Sequence, residues 1–148
     1  MKIHFLGQLA QVFGGLGRSD EAFRMIDEAI AALEATGERV SEAELYRSRG
    51  ILLAETGQPS AGEDSLRQAI NVARGQHALL LELRATTTLA SLIADDRPAE
   101  ARTLLSDVMA RLTQGAGTPV FREAAAGLSS LRDDATTSAS AVAHRRDQ

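Results

Sequence analysis

The sequence predicts an all-α chain: a helical-repeat solenoid of about three helix pairs, closed by one further helix. Three observations lead there. First, small residues recur in phase. Ala10, Gly50 and Ala90 stand 40 residues apart each time, and Ala22, Gly62 and Ala101 stand 40 and then 39 apart. Helix axes can approach closely only where such residues meet, since a bulky side chain there forces the pair apart. Second, larger apolar residues surround the small ones at helical spacing, as Leu6, Leu9 and Phe13 do for Ala10, and Ile26 for Ala22. Third, Ala and Leu dominate, aromatics make up 3% of the 148 residues, and no stretch alternates as a strand would.

The first pair is predicted over residues 3–35. Phe5, Leu6, Leu9 and Phe13 form the stripe of its first helix, with Ile3 and Val12 apolar on other sides. A signal peptide is the poorer reading, because Gln8 and Gln11 interrupt the apolar run and no cleavage site follows. Solenoid ends usually carry a polar outer face. An apolar one predicts that the array continues upstream or that this helix self-associates. Gly14-Gly15-Leu16-Gly17 has neither the preceding strand nor the Lys-Ser or Lys-Thr of a phosphate loop, so it reads as a turn. Ser19, Asp20 and Glu21 then open a helix burying Ala22, Ile26, Ala29, Ile30 and Leu33.

The second pair is predicted over residues 41–75. Ser41 with Glu44, and Ser60 with Glu63, have capping-box spacing. The turn falls at Thr56-Gly57-Gln58-Pro59. The third pair is predicted over residues 78–112. Leu79, Leu80, Leu81 and Leu83 start it, dense enough to be buried on two sides. Pro98 opens its second helix, where a missing N–H costs little. Ala101, Leu104, Leu105, Val108 and Leu112 face inward. A capping helix is predicted over residues 119–132, with Val120, Phe121, Ala124, Ala125, Leu128 and Leu131 as its stripe. Residues 134–148 have few large apolar groups and read as a disordered tail.

Chemistry is sparse. Net charge is −4, spread without blocks, which gives nucleic acid few phosphate contacts or stacking platforms. Cysteine is absent, so there is no thiolate metal site. No apolar run approaches the ~20 residues of a membrane span. His4, His77 and His144 are scattered, and Asp95-Asp96 points two ways at a turn. Ser129-Ser130 has no base nearby. The expectation is no catalytic residue, no cofactor, no metal, no nucleic-acid or membrane partner, and a cytoplasmic location.

Three segments carry a family resemblance: Glu42-Ala43-Glu44-Leu45-Tyr46-Arg47-Ser48-Arg49-Gly50, Leu81-Glu82-Leu83-Arg84-Ala85-Thr86-Thr87-Thr88-Leu89-Ala90, and Ala99-Glu100-Ala101-Arg102-Thr103-Leu104-Leu105. They resemble the C-terminal tetratricopeptide (TPR) region of large bacterial regulators. In those proteins a class III adenylate/guanylate cyclase domain or a DNA-binding domain precedes a signalling ATPase and then the repeats. The similarity spans residues 6–131. It departs from the pattern in a third turn without glycine and one residue short, in Gly62 where alanine is usual, and in the absence of aromatics near Gln114. The resemblance implies a right-handed solenoid acting in signal transduction. No cyclase-like or ATPase-like segment lies in these 148 residues, so neither activity is expected of them.

In a solenoid of this kind the first helices of the pairs line the concave surface. On that geometry Gln11, Glu44, Arg47, Ile51, Glu55, Arg84, Thr87, Ser91 and Asp95 form the face expected to take a protein or peptide partner, including upstream domains of the same regulator. Arg47 and Arg84 could hold carboxylates of that partner. They could equally serve the fold, with Glu44 and Arg84 bridging adjacent repeats. The expected function is therefore a non-enzymatic interaction module. The alternative is a small-ligand sensor that regulates an attached ATPase or cyclase.

Overall fold

A computed structural model describes residue 10 and residues 12–112 and 119–146. These residues are all-helical, with no strand among them. Residues 10 and 12–15 belong to α1. It is followed by α2 (Ser19–Thr36), α3 (Glu42–Glu55), α4 (Pro59–Gly75), α5 (Leu79–Ile93), α6 (Pro98–Ala110) and α7 (Pro119–Arg146).

One local device closes three of the connections. After α1, Arg18 N–H donates to Phe13 C=O at 2.9 Å and Gly17 N–H to Gly14 C=O at 3.0 Å. After α3, Gln58 and Gly57 donate in the same way to Leu53 and Ala54, and after α4, Ala78 and His77 donate to Ala73 and Arg74. This double bond pattern needs a left-handed residue, and finds it in Gly17 (φ 76°), Gly57 (φ 83°) and His77 (φ 55°). Gly37 (φ 70°) closes α2 with a single bond to Leu33 at 2.8 Å. The left-handed positions 17, 37, 57 and 77 are 20 residues apart, half the period of the small residues.

The next residue ends one helix and begins another. Arg18, Gln58 and Ala78 cap backwards with their N–H groups, and their C=O groups accept from Ala22, Gly62 and Glu82. The connection before α6 lacks the left-handed residue. Ala94 stays right-handed (φ −58°, ψ −40°), and Arg97 N–H reaches Ile93 C=O at 2.7 Å. That closure consumes one residue fewer, as the 39-residue spacing predicts.

The predicted small residues sit at the crossings. Ala10, Ala22, Gly50, Gly62, Ala90 and Ala101 are all buried. A Cβ on Gly50 would lie 2.9 Å from Gly62 O, and one on Gly62 would lie 2.7 Å from Gly50 O. The backbones of α3 and α4 are therefore in direct contact, which is why glycine stands at both positions. The main core joins Leu66, Ala69 and Ile70 of α4, Leu83, Leu89 and Ile93 of α5, Leu105 and Val108 of α6, and Leu131 of α7. A smaller cluster joins Ala10 and Phe13 to Ile26 and Leu52.

Each helix packs on its neighbours in sequence. In addition α3 touches α5, and α5 touches α7, whereas α2, α4 and α6 do not approach one another in this way. Helices α3, α5 and α7 thus form one close row, and behind it α4 and α6 meet through side chains alone.

Several expectations need correction. Neither predicted capping box forms. No side chain caps α3 or α4, and α4 begins at Pro59, which places Ser60 inside the helix. Leu80 is exposed, so the leucine run is not buried on both sides. The last helix continues to Arg146 instead of stopping near residue 132. Alanine recurs through this stretch at residues 135, 139, 141 and 143, and alanine is the strongest helix former. The glycines at residues 115 and 117, which read as the end of the preceding helix, and the side chain of Phe121 lie outside the described residues, as do Ile3, Phe5, Leu6 and Leu9.

The candidate interaction face on helices α3, α5 and α7

Of the nine residues expected on the face, Gln11 lies outside the described residues. The other eight fall on α3, on α5 and at the turn after α5, and the structure gathers them into three places.

The middle place is an ion network. Glu44 accepts from Arg47 Nη2 at 2.7 Å and Nε at 3.1 Å, and forms an ion pair with Arg84, whose Nη2 lies 3.1 Å from Oε1. Arg47 Nη1 also donates to Thr88 Oγ1 at 3.3 Å. Glu44 thus ties α3 to α5, the structural role foreseen for it. Its carboxylate occupies the position that a partner's acid would need on Arg47, whose side chain is only 13% exposed. Arg84 is freer, at 40%.

Toward the N-terminus, Ile51 and Glu55 line a cavity of about 180 Å³ with Ala10, Gly14 and Ser48. Toward the C-terminus, Thr87, Ser91 and Asp95 line a larger one, of about 430 Å³, between α5, α6 and α7. Thr87 Oγ1 donates to Leu83 C=O at 2.8 Å and Ser91 Oγ to Thr87 C=O at 3.0 Å. Each hydroxyl spends its proton on its own helix and keeps acceptor capacity for a visitor. The far wall comes from α7, through Glu123, Gly127, Ser130, Leu131 and Asp134. None of these was expected, because their meeting with Asp95 depends on how α7 lies on α5.

Two further ion networks hold the scaffold of the face. Glu82 on α5 is buried, yet it accepts from Arg74 Nη2 at 2.9 Å and from Arg111 Nη1 at 3.1 Å and also Nη2. Burial alone would push its pKa up. The guanidiniums of Arg111 and Arg74 prevail and hold it below the usual carboxylate range. Glu82 therefore joins the end of α4 to the end of α6. Its one sequence signal was a lone acid inside a leucine run. Glu63 and Glu100 share Arg67 and Arg97 across the starts of α4 and α6. Bonds from Arg97 and then Arg67 hold Glu63 below its usual range.

Among the described residues no group of three or more His, Asp or Glu side chains could hold a metal ion. No helix among them is long and apolar enough to cross a membrane.

No family model matches the chain, and no solved structure matches it. Over 89 residues, 60% of the chain, it is 35% identical to an uncharacterized protein of Rhizobium meliloti (strain 1021). The chain spans only 9% of the length of that curated relative.

Proposed function

We propose that this chain is a non-enzymatic protein-interaction module: a right-handed, tetratricopeptide-like solenoid of three helix pairs and a capping helix. In this reading it is the repeat part of a cytoplasmic signalling or transcriptional regulator. The observation that carries the proposal is the close row of α3, α5 and α7, which presents one face with a cavity toward either end. The 20-residue spacing of the left-handed turn positions supports a repeat array, since equal units produce equal turns. The small share of the long Rhizobium protein that aligns with the chain supports a module within a larger protein. A preformed face binds with little ordering cost, which suits docking of a peptide or an adjoining domain.

Panning a random-peptide library on the full chain tests the reading. The expected result is a consensus peptide whose binding is lost when Ser91→Trp fills the C-terminal cavity or Ile51→Asp charges the N-terminal one. No enrichment, or a consensus indifferent to both substitutions, overturns it. A second reading, a small-ligand sensor, is favoured by the volume of the C-terminal cavity, which falls within the roughly 300–1,000 Å³ of ligand pockets. Native mass spectrometry of the gently purified chain separates the two, since only a sensor retains a small molecule at one copy per chain.

A further inference from the structure

The cavity between α5, α6 and α7 has carboxylates on its rim and no cation among the described residues that line it. Asp95 stands at the turn after α5. Glu123 and Asp134 stand 11 residues apart on α7, close to three full turns, and so share one helix face. All three are exposed. Three other acids between helices are matched: Glu44 by Arg47 and Arg84, Glu63 by Arg67 and Arg97, Glu82 by Arg74 and Arg111. Asp95, Glu123 and Asp134 form no ion pair among the described residues. Three acids around one concavity, against the single Arg102 guanidinium that is held on Leu131 C=O at 3.4 Å, leave a net negative field there that draws in positive charge.

The rest of the lining narrows the kind of cation. The floor is apolar, with Ala90, Leu105 and Leu131 buried in it. Such a floor takes the methylene stem of a long basic side chain while its charged head stays at the rim. Thr87, Ser91 and Ser130 add hydroxyl oxygens able to accept from a peptide N–H. A bare metal ion uses neither feature. We infer that this groove docks an extended basic segment of a partner protein, with the stem of a lysine or arginine side chain lying over Leu105 and Leu131 and successive basic heads meeting Asp95, Glu123 and Asp134 separately, since 11 helical residues set the two α7 acids about 16 Å apart. The inference rests on the interaction-module reading and names the chemistry of the partner.

The test uses the full chain and a fluorescein-labelled peptide of alternating lysine and alanine, followed by anisotropy at low salt. The wild type is expected to bind it, and the triple variant Asp95→Asn, Glu123→Gln, Asp134→Asn to bind at least about tenfold more weakly. A second triple variant on α2, Asp20→Asn, Glu28→Gln, Glu34→Gln, changes net charge equally and is expected to bind like the wild type. Zero-length carbodiimide crosslinking of peptide to wild-type chain, mapped by mass spectrometry, is expected to fall on Asp95, Glu123 or Asp134, and needs no variant to fold. Equal losses in both variants, crosslinks elsewhere, or no binding of the lysine peptide overturn the inference. So does spermine binding as tightly as the peptide, since the occupant is then a free polyamine. If a glutamate–alanine peptide or another library consensus binds the face while the lysine peptide fails, the basic partner falls and the interaction module stands. If no peptide of any kind binds, both fall.

Discussion

Gly50 and Gly62 face each other across the α3–α4 crossing, and a methyl group on either would press against the other's backbone carbonyl. Backbone cannot swing aside as a side chain can. Alanine at either position would normally gain about 1 kcal/mol of helix propensity, but here the helices must separate, a penalty of roughly 1–3 kcal/mol. Gly50→Ala and Gly62→Ala are therefore expected to lower the urea midpoint. Gly75→Ala, at a helical position with nothing within 4 Å of the added carbon, is expected to raise stability by about 0.5–1 kcal/mol. Glu82 gives a second residue-scale prediction. Its folded pKa is depressed, so its contribution is complete above the unfolded-state value of about 4.3 and is lost as pH falls through the lower folded value. Glu82→Gln is expected to cost about 2–3 kcal/mol near neutrality, less than a fully enclosed pair because Arg74 and Arg111 remain about half exposed. Urea midpoints measured against pH should show the gap between wild type and variant closing in acid. The glycines were legible in the sequence because their 40-residue phase requires no knowledge of partners. The role of Glu82 was not, because Arg111 lies 29 residues away and only packing brings them together.

Whole connections obey the same local chemistry. Four close through a left-handed residue, and at one of them that residue is histidine. A side chain in this conformation costs roughly 1–2 kcal/mol. His77→Gly is expected to raise the melting temperature and Gly57→Ala to lower it, as calorimetry on the two variants would register. The turns themselves were readable from glycine and proline. The capping boxes misled because Glu44 and Glu63 have arginines within reach, both three or four residues away on their own helix and on the next pair. Arg47 and Arg67 each bring two nitrogens to the carboxylate, a contact ionised on both sides, whereas a helix N–H offers one neutral donor. The cavity wall supplied by α7 was hidden for a related reason. A stripe shows which side of a helix is buried, but not which charged residues of its other side will stand over Asp95.

At the scale of the molecule, apolar surface remains on α1 and the turn that follows it. Val12 is 58% and Leu16 69% exposed, while Phe13 packs against α2 and under the Arg18 guanidinium. Replacing Phe13 would thus disturb the core, whereas Val12 and Leu16 report on the surface alone. Val12→Ser with Leu16→Ser is expected to change stability by no more than about 0.5 kcal/mol, and to reduce any rise of mass with concentration in light scattering. Persistence of that rise in the variant would place self-association elsewhere.

The order of the contacts also bears on how the chain acquires its shape. Helices meet only their sequence neighbours or the next but one, and a long-range tie such as Arg47 to Thr88 spans 41 residues. Topologies so local fold quickly, since little loop entropy is lost before contacts form. On the ribosome, α3 and α4 can dock as soon as both have emerged, and every later helix finds its platform already built. The acidic groove closes last, because its far wall is α7, and a nascent chain therefore has a finished scaffold before it has a finished binding site.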